Sequence, residues 1–473
     1  MLVPAVFLQS TSFIAACYIV AFGLFIYGMS GLTGPRTAVP GNKIAATGMA
    51  IAVIATLLTK HVWDGSSTPW LIVVGLLLGT AVGIPAARRV RMTAMPQMVA
   101  LFNGVGGGAV ALIAWIEYRH HFGGSFALKS EIPTLFAAIV GSISFWGSNI
   151  AFGKLQAIIP SRPIKLPGQS IVNGALFGIA LASAIILAAG THSQALFIVG
   201  ILVAAAALGN MVVLPIGGAD MPVVISLLNA FTGLSAAAAG IALNNTAMIV
   251  AGMIVGASGS ILTNLMAKAM NRSVPAIVAG GFGGEVAAPV AASETGGTVR
   301  STTADDVAIQ LSYARQVVIA PGYGMAVAQA QYAVRDLEKA LEDKGVRVLF
   351  AIHPVAGRMP GHMNVLLAES QVPYDLLKAM DEVNPEFQRT DVTLVIGAND
   401  VTNPAAKNEP GSPIYGMPIL EVNQSKSVIV LKRSMASGFA GIDNPLFYEP
   451  ETSMLFGDAK QSVSDVTAAI ESL

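Results

Sequence analysis

The sequence predicts a multi-span α-helical membrane domain followed by an α/β domain with a parallel sheet. The 473 residues are 54% hydrophobic and only 11% charged, which is unusual for a soluble protein. Residues 1–267 contain eleven Lys or Arg and four Asp or Glu, whereas residues 268–473 contain sixteen and twenty-three. The chain therefore joins an apolar part to a water-soluble part, and the second part alternates strand-like and helix-like stretches.

The first part consists of apolar segments of about 20 residues, each long enough to cross ~30 Å of hydrocarbon. We predict about nine such helices, at 5–30, 44–60, 70–87, 96–117, 132–153, 169–190, 194–216, 222–243 and 246–267. The first segment has no basic stretch and no small-residue cleavage site before it, so we interpret it as a retained span and not as a signal peptide. The single cysteine, Cys17, lies in this segment and excludes an intrachain disulfide.

The loops between the predicted spans carry most of their basic residues on one side. The ten Lys and Arg on the side shared with the C-terminal part are Arg36, Lys43, Arg88, Arg89, Arg91, Lys154, Arg162, Lys165, Lys268 and Arg272. The opposite side has only Lys60, Arg119 and Lys129. The positive-inside rule therefore predicts that the C-terminal domain is cytoplasmic and that the N-terminus faces out.

The predicted spans also contain uncharged polar residues and one carboxylate. These residues are Asn103, Ser148, Asn149, Asn173, Asn210, Asp220, Ser226, Asn229 and Asn264. Polar groups within a membrane usually face the interior of a helix bundle, where they either bond neighbouring helices or line a path. Both interpretations stay open for the Asn and Ser residues. Asp220 exchanges protons, pairs with a base, or begins the span at Met221 as a solvated N-cap, and these alternatives stay open.

Residues 271–300 are rich in Gly, Ala, Pro and Ser, which predicts a flexible linker between a membrane domain at 1–270 and a second domain at 301–473. Short apolar runs in the second domain predict strands at 317–321, 346–352, 392–397, 427–431 and 454–457. Helices are predicted near 303–314, 324–341, 362–369, 373–382 and 460–472. This alternation is typical of a parallel sheet covered by helices.

The stretch from Val317 to Val327 has the order strand, glycine turn and helix. The β-branched run ending at Pro321 is followed by Gly322-Tyr323-Gly324-Met325-Ala326-Val327 and then by helix-favouring sequence. In a Rossmann-like dinucleotide site such glycines permit a tight turn and a close approach to a pyrophosphate, whose charge meets the helix N-terminus. The motif alone is equally compatible with a structural glycine turn.

Other features of the C-terminal domain favour NADP(H). The second strand ends at Phe350–Pro354 without the carboxylate that binds the ribose 2′-hydroxyl in NAD sites. A later strand ends at Lys432-Arg433-Ser434, which suits a 2′-phosphate but equally describes a solvated strand end. The loop around Arg358 adds a cation within reach of a phosphate. The sequence contains no metal-ligand spacing, catalytic triad or nucleophile elbow.

Several long runs are shared with one family. They are Pro321–Tyr332, His353–Glu369, Val395–Asp400, Lys432–Ser434 and Asp443–Phe447 in the C-terminal domain, and Pro215–Pro222, Asn229 and Lys268–Ser273 in the membrane part. On these runs the chain closely resembles the β subunit of the proton-translocating NAD(P) transhydrogenases, over practically its whole length.

The resemblance implies that the C-terminal domain binds NADP(H), that a partner α subunit binds NAD(H), and that hydride passes directly between the two nicotinamides while a proton crosses the membrane. It also implies a dimer of αβ units in the bacterial inner (plasma) membrane, with the C-terminal domain in the cytoplasm. Direct hydride transfer requires apposed rings and excluded water, and it needs no protein acid or base.

The resemblance also implies roles for individual residues. Asn103, Ser148, Asp220 and Asn229 match the family's proton path, and Asp400 matches a residue that links cofactor occupancy to protonation. The implied cofactor-binding residues are Gly322, Tyr323, Gly324, Ala326, Val327, His353, Val355, Ala356, Gly357, Arg358, Met359, Pro360, Gly397, Ala398, Asn399, Asp400, Val401, Gly416, Met417, Lys432, Arg433, Ser434, Phe439, Asp458 and Ala459. No metal site is implied.

Two residues depart from the family's pattern. Many relatives have histidine where this chain has Asn103, and because asparagine cannot titrate we expect a helix of the partner subunit to supply the titrating group. Phe439 stands where the family has tyrosine, and it lacks the hydroxyl.

Two other functions compete with this interpretation. One is a membrane transporter or channel regulated by a cytoplasmic nucleotide-binding domain, for which we would expect inverted repeats; the sequence contains no convincing repeat. The other is an NADP reductase that is merely anchored by its spans, for which we find no separate substrate domain.

Overall fold

The computed structural model describes residues 8–32, 35–59, 62, 68–122, 127–160, 163–217, 220–281, 298–359, 361–412, 414–436, 438 and 440–473. Within these ranges, nine helices are long and apolar enough to cross a membrane, which confirms the predicted number of spans. They are α1 (Thr11–Gly31), α2 (Pro35–Leu57), α3 (Thr68–Arg89), α4 (Met95–His120), α5 (Leu128–Leu155), α6 (Gln169–Ala188), α7 (Leu196–Val213), α8 (Met221–Ala242) and α9 (Thr246–Ala269).

Glycines form the closest contacts between these helices. A Cβ added to Gly233 on α8 would lie 2.4 Å from the backbone nitrogen of Gly256 on α9. A Cβ added to Gly141 on α5 would lie 2.8 Å from the carbonyl oxygen of Gly107 on α4. In lipid, where apolar side chains gain nothing by leaving the solvent, such close packing stabilises helix association. These glycines therefore hold α4 against α5 and α8 against α9.

The C-terminal part contains a six-stranded parallel sheet with the strand order β3-β2-β1-β4-β5-β6. The strands are β1 (Gln316–Pro321), β2 (Arg347–Ile352), β3 (Leu377–Ala379), β4 (Val392–Ile396), β5 (Ser427–Lys432) and β6 (Thr452–Phe456). The described helices are α10 (Val274–Gly281), α11 (Ala304–Ser312), α12 (Tyr323–Val327), α13 (Gln331–Asp343), α14 (His362–Glu369), α15 (Met380–Val383), α16 (Ala405–Asn408) and α17 (Ala459–Ser472). The predicted α/β fold with a parallel sheet is confirmed.

The central strands are buried on both faces, as is typical of parallel sheets between helices. Every residue of β1 is buried. Val317 and Ile319 pack into a core shared with α11, α13, α14 and α17. Val318 and Ala320 face the other side and pack into a core with Phe387. This alternation follows from the two-residue period of a strand, and it fixes β1 in the middle of the sheet.

Two local predictions were wrong. The helix predicted at 373–382 is instead a 3₁₀ turn, the short strand β3 and the helix α15, because Leu377–Ala379 pairs with Phe350–Ile352 and this tertiary pairing overrides helix propensity. The helix predicted at 324–341 is divided into α12 and α13, because Gln329 between them adopts φ +52°.

The predicted linker is only partly described. Val274–Gly281 forms α10, and residues 282–297 lie outside the described residues. The chain then joins the sheet at β6, where the Thr302 amide donates to the Met454 carbonyl and the Met454 amide donates to the Arg300 carbonyl.

Candidate functional site

A cavity of about 610 Å³ lies at the carboxyl ends of the strands. The loops after β1, β2, β4, β5 and β6 all contribute to its lining. In the sheet, β2 lies on one side of β1 and β4 lies on its other side. The direction in which successive strands are added therefore reverses between β1 and β4. Ligands of open α/β sheets bind at this switch point, and the cavity is centred there.

The glycine turn after β1 packs directly on the turn after β4. The amide of Gly322 donates to the Ile396 carbonyl at 2.9 Å, and the amide of Gly324 donates to the Gly397 carbonyl at 2.9 Å. A Cβ on Gly322 would lie 2.4 Å from the Cα of Ala398, and one on Gly324 would lie 2.7 Å from the Cα of Gly397. The glycines are therefore required for contact between the two turns, and the cavity has a floor of bare backbone.

The turn after β4 is held by polar contacts with residues from 438 to 444. The amide of Ala440 donates to Asp400 Oδ2 at 3.0 Å, and Asn444 Nδ2 donates to the Asn399 carbonyl at 3.1 Å. A Cβ on Gly438 would lie 2.4 Å from Asn399 Nδ2, so this loop passes close over the turn. Asn399 Nδ2 is buried and has no hydrogen-bond acceptor among the described residues.

The strand β5 ends in cations at the rim of the cavity. Lys432 Nζ donates to the Ala436 carbonyl at 2.6 Å and lies 4.5 Å from the centre of the Phe447 ring. Burial lowers the pKa of Lys432, while the carboxylates of Asp443 and Asp400 oppose that shift. Arg433 and Ser434 are exposed and also line the cavity. This edge therefore presents cationic and hydroxyl groups to solvent and to a ligand.

Two neutral histidines shape the loop after β2. His353 Nδ1 accepts from the Val355 amide, so its Nε2 carries the proton and donates to the Pro418 carbonyl. His362 Nδ1 accepts from the Arg358 amide. The pKa of each ring is lowered to about 4, for His353 by burial and for His362 by burial together with the nearby Arg358 charge. The His362 ring packs on Gly357, whose φ of +112° suits only glycine.

Residues from the membrane part form one wall of the cavity: Asp220, Met270 and Arg272, hereafter the membrane-side wall. Arg272 Nη1 donates to the two carboxylate oxygens of Asp220, at 3.0 and 2.7 Å. Asp220 occupies the N-cap position of α8, but its side chain makes no capping hydrogen bond. The carboxylate therefore serves the ion pair and not the helix start.

A second polar group of residues lies within the membrane helices. Asn103 Nδ2 on α4 donates to Ser148 Oγ at 2.8 Å and to Ser144 Oγ at 3.3 Å on α5. Ser144 Oγ in turn lies 2.6 Å from Thr232 Oγ1 on α8. We call Asn103, Ser144, Ser148 and Thr232 the polar cluster. Asn229 makes no side-chain hydrogen bond with any described residue, although it lies on the same helix as Thr232.

The comparison with known proteins decides the family. A family model described as NAD(P) transhydrogenase beta subunit matches residues 14–469. Two relatives, both named NAD(P) transhydrogenase subunit beta and both from Rhodospirillum rubrum, one from a named strain, are each 47% identical over 462 residues. The match covers 96% of this chain and 98% of each relative. The chain belongs to the NAD(P) transhydrogenase β-subunit family.

For a transhydrogenase β subunit the cavity has suitable chemistry for NADP(H). The bare-backbone floor leaves room that a Cβ would fill, and Asn399 Nδ2 is a buried donor without an acceptor in the described chain. The rim carries Lys432 and Arg433, and β2 ends without a carboxylate. Anionic phosphates and an amide acceptor would complement these groups.

Most residues implied for NADP(H) in the transhydrogenase family line the cavity. Those in the lining are Gly322, Tyr323, Gly324, Val327, Val355, Ala356, Gly357, Gly397, Ala398, Asn399, Asp400, Val401, Met417, Lys432, Arg433, Ser434, Asp458 and Ala459. Five are not in the lining: Ala326, His353, Arg358, Met359 and Gly416. Pro360 and Phe439 lie outside the described residues.

Sequence reasoning missed part of this lining. The additional residues are Met270, Arg272, Ala328, Ile414, Leu431, Ala436, Gly438, Ala440 and Gly457. The run Lys268–Ser273 was a matching motif, and an arginine and an aspartate at the ends of two predicted spans offered a signal for an ion pair. Nothing in the sequence indicated that this pair faces the cofactor domain. Ser144 and Thr232 of the polar cluster were likewise missed.

Proposed function

We propose that this chain binds NADP(H) in the cavity and exchanges hydride with NAD(H) bound by a partner α subunit, coupled to proton translocation through its membrane helices. The observation that carries this proposal is the position of the cavity. It lies at the β1/β4 switch point, and the membrane-side wall closes it. The domain arrangement follows the sequence: membrane helices at 1–270, a linker at 271–300 and the cofactor domain at 301–473.

Each part of the lining has a role in this proposal. The bare backbone of the turns after β1 and β4 lets the pyrophosphate approach closely, with Tyr323 beside it, while the Gly322 and Gly324 amides stay bonded to the turn after β4. Arg433 and Ser434 bind the 2′-phosphate, because a guanidinium and a hydroxyl complement its oxygens. Gly438 and Ala440, which contact Asn399 and Asp400, help to exclude water from the reacting ring. Bound NADP(H) supplies the hydride chemistry itself.

Coupling requires that the cofactor cavity and the proton path influence each other. Asp220 and Arg272 lie next to membrane helices in the sequence, and in the structure their ion pair lines the cavity. A change of charge in the cavity therefore acts directly on the ion pair. The polar cluster around Asn103 supplies hydrogen-bonding groups deeper in the bundle, and a partner helix supplies the titrating group that Asn103 lacks.

The proposed assembly is a dimer of αβ units in the bacterial inner membrane, with the cofactor domain in the cytoplasm. The experiment that tests the function purifies the chain together with its NAD(H)-binding partner. Reduction of an NADP analogue by NADH is then followed in proteoliposomes with and without an imposed proton gradient. A faster reaction with the gradient supports the proposal; no reaction, or a reaction indifferent to the gradient, contradicts it.

A further inference from the structure

The carbonyl of Leu155 accepts hydrogen bonds from two side chains of different origin. Gln97 Nε2, on the neighbouring membrane helix α4, donates to it at 3.3 Å. Arg358 Nη1, from the cofactor domain, donates to it at 2.9 Å. Leu155 is the last residue of α5, so no backbone amide of the helix satisfies this carbonyl. Arg358 therefore connects the cofactor domain to the end of a membrane helix.

The helix that Arg358 holds, α5, carries two of the four residues of the polar cluster, Ser144 and Ser148. Ser148 and Leu155 follow Ser144 at spacings of 4 and 11 residues, which place all three on one face of α5. The distance from Ser144 to Leu155 along the axis is about 16 Å. The helix α4 bonds α5 twice on this side, through Asn103 within the polar cluster and through Gln97 at the end. Arg358 thus contacts the junction of the two helices that bear Asn103 and Ser148.

The other contacts of Arg358 are with the cofactor cavity. Its guanidinium lies 4.4 Å from the centre of the Tyr323 ring, and Tyr323 lines the cavity. Its backbone amide donates to His362 Nδ1, and Gly357, which precedes it, also lines the cavity. Arg358 itself is not part of the lining. A small movement of this loop therefore brings the guanidinium from the Leu155 carbonyl toward the cavity.

We propose that Arg358 is a positioning residue that exchanges the Leu155 carbonyl for the phosphates of NADP(H), so that occupancy of the cavity is transmitted to α5. This inference rests on the proposed function. A guanidinium bonds phosphate oxygens more strongly than a neutral carbonyl oxygen, and it does so through two parallel hydrogen bonds. When Arg358 leaves, Gln97 is the only side chain among the described residues that still donates to the Leu155 carbonyl, while Lys154 of α5 keeps its own bonds to the Leu214 and Ile216 carbonyls.

The test measures hydrogen–deuterium exchange at the end of α5 in the full-length chain assembled with its partner. NADP⁺ is the added probe, and its binding is measured by calorimetry in the same preparation. We expect NADP⁺ to speed exchange of the amides of residues 152–159 by about tenfold, because a charge-assisted hydrogen bond to the helix end is lost. NAD⁺ at the same concentration leaves the exchange unchanged.

In Arg358→Gln, the amides of residues 152–159 should exchange at the fast rate without NADP⁺. Added NADP⁺ should not speed this exchange further. The matched control is Arg335→Gln, because Arg335 also donates to a backbone carbonyl, that of Gln371, but within the cofactor domain. This control should behave like the native chain. If Arg358→Gln no longer binds NADP⁺, the exchange rate of residues 152–159 without cofactor still tests the proposal. A rate as slow as that of the native chain overturns it.

Failure of the role of Arg358 and failure of the proposed function give different experimental results. If NADP⁺ binds the native chain and exchange at 152–159 does not change, the role of Arg358 is refuted and the proposed function stands. If calorimetry shows no binding of NADP⁺ to the native assembly, the proposed function is refuted and the role of Arg358 with it.

Discussion

Arg272 donates to both carboxylate oxygens of Asp220 across 52 residues of sequence, and the resulting ion pair is part of the wall of the cavity at the carboxyl ends of the strands. The two residues flank the helix pair α8 and α9, whose glycines pack backbone against backbone. The pair is only partly exposed, with 32% of the Arg272 side chain and 14% of the Asp220 side chain accessible. Its charges are therefore screened less by water than those of a surface pair.

Replacement of Asp220 by Asn should separate proton-linked from proton-independent activity. We expect Asp220→Asn to lower the reverse reaction, in which NADPH reduces an NAD analogue, at least about tenfold, because the loss of a partly buried ion pair costs ~1.5–3 kcal/mol. A cyclic reaction, in which NADP(H) stays bound and hydride only shuttles, should be retained. Both rates are measured on one purified preparation, with the exposed Asp305→Asn as the control. A parallel fall of both rates together with protein yield would indicate packing damage.

Removal of the Arg433 guanidinium should affect NADP(H) selectively. We expect Arg433→Ala to weaken NADP⁺ binding about 10- to 100-fold, since a charge-assisted contact with a phosphate contributes ~1.5–3 kcal/mol. The affinity for NAD⁺, which lacks the 2′-phosphate, should stay the same. Calorimetric titrations of both nucleotides measure this, with Arg389→Ala, another exposed arginine of the domain, as the control. Equal weakening of the two nucleotides would remove Arg433 from the 2′-phosphate site.

A methyl group on Gly324 should disrupt the floor of the cavity. Its Cβ would lie 2.7 Å from the Cα of Gly397, and backbone cannot move aside as a flexible side chain does. We expect Gly324→Ala to destabilise the domain by about 2–3 kcal/mol and to abolish NADP⁺ binding. The control, Gly345→Ala, places a methyl in open space at φ +79° and should cost only about 1 kcal/mol. Proteolysis of the C-terminal domain in increasing urea measures both, and equal effects would contradict the clash.

The two buried histidines should make the C-terminal domain less stable in acid. Their pKa values are about 4 in the folded chain and 6.5 ordinarily, so the unfolded chain binds more protons between these values. The free energy of unfolding therefore falls as the pH drops from 6.5 to 4, by up to ~3 kcal/mol for each histidine. Above pH 6.5 these two histidines no longer change the free energy of unfolding.

Hydrogen exchange of the buried β1 amides at pH 7 and pH 5 measures this change in the full-length chain. The double variant His353→Gln/His362→Gln should show a smaller difference between the two pH values. His120→Gln, at the end of α4, serves as the control. An unchanged pH dependence in the double variant would assign the effect to other groups.

The fold was predictable where local sequence decides it. Nine apolar segments predict nine spans because burial in hydrocarbon depends on the segment's own hydropathy. Strands β1 and β4 are predominantly apolar, interrupted only by Gln316 and Thr393, and every residue in them is buried, as is typical of central parallel strands. Strand β3 was not predictable, because Leu377–Ala379 becomes a strand only by pairing with the edge of β2.

The site was predictable only in part, for the same reason. The glycine turn and the cationic end of β5 are contiguous in sequence, and both line the cavity. The membrane-side wall brings Asp220 and Arg272 to a domain that begins after residue 300, and no local pattern encodes that contact. Arg358 was predicted to bind the cofactor from its loop and charge, but its acceptor on α5 is a backbone carbonyl, which carries no sequence signal at all.

The contact between the turns after β1 and β4 also constrains how this domain can vary. Gly324 and Gly397 occupy each other's side-chain space, so neither position accepts a larger residue while the other backbone stays in place. Substitutions there are expected to occur together or not at all across homologous chains. Because the two turns are locked as one surface, we expect exchange of a ligand to require movement of another part of the lining, either the loops after β2, β5 and β6 or the membrane-side wall. Entry and exit of the proposed nucleotide are then expected to depend on segments outside the glycine fingerprint.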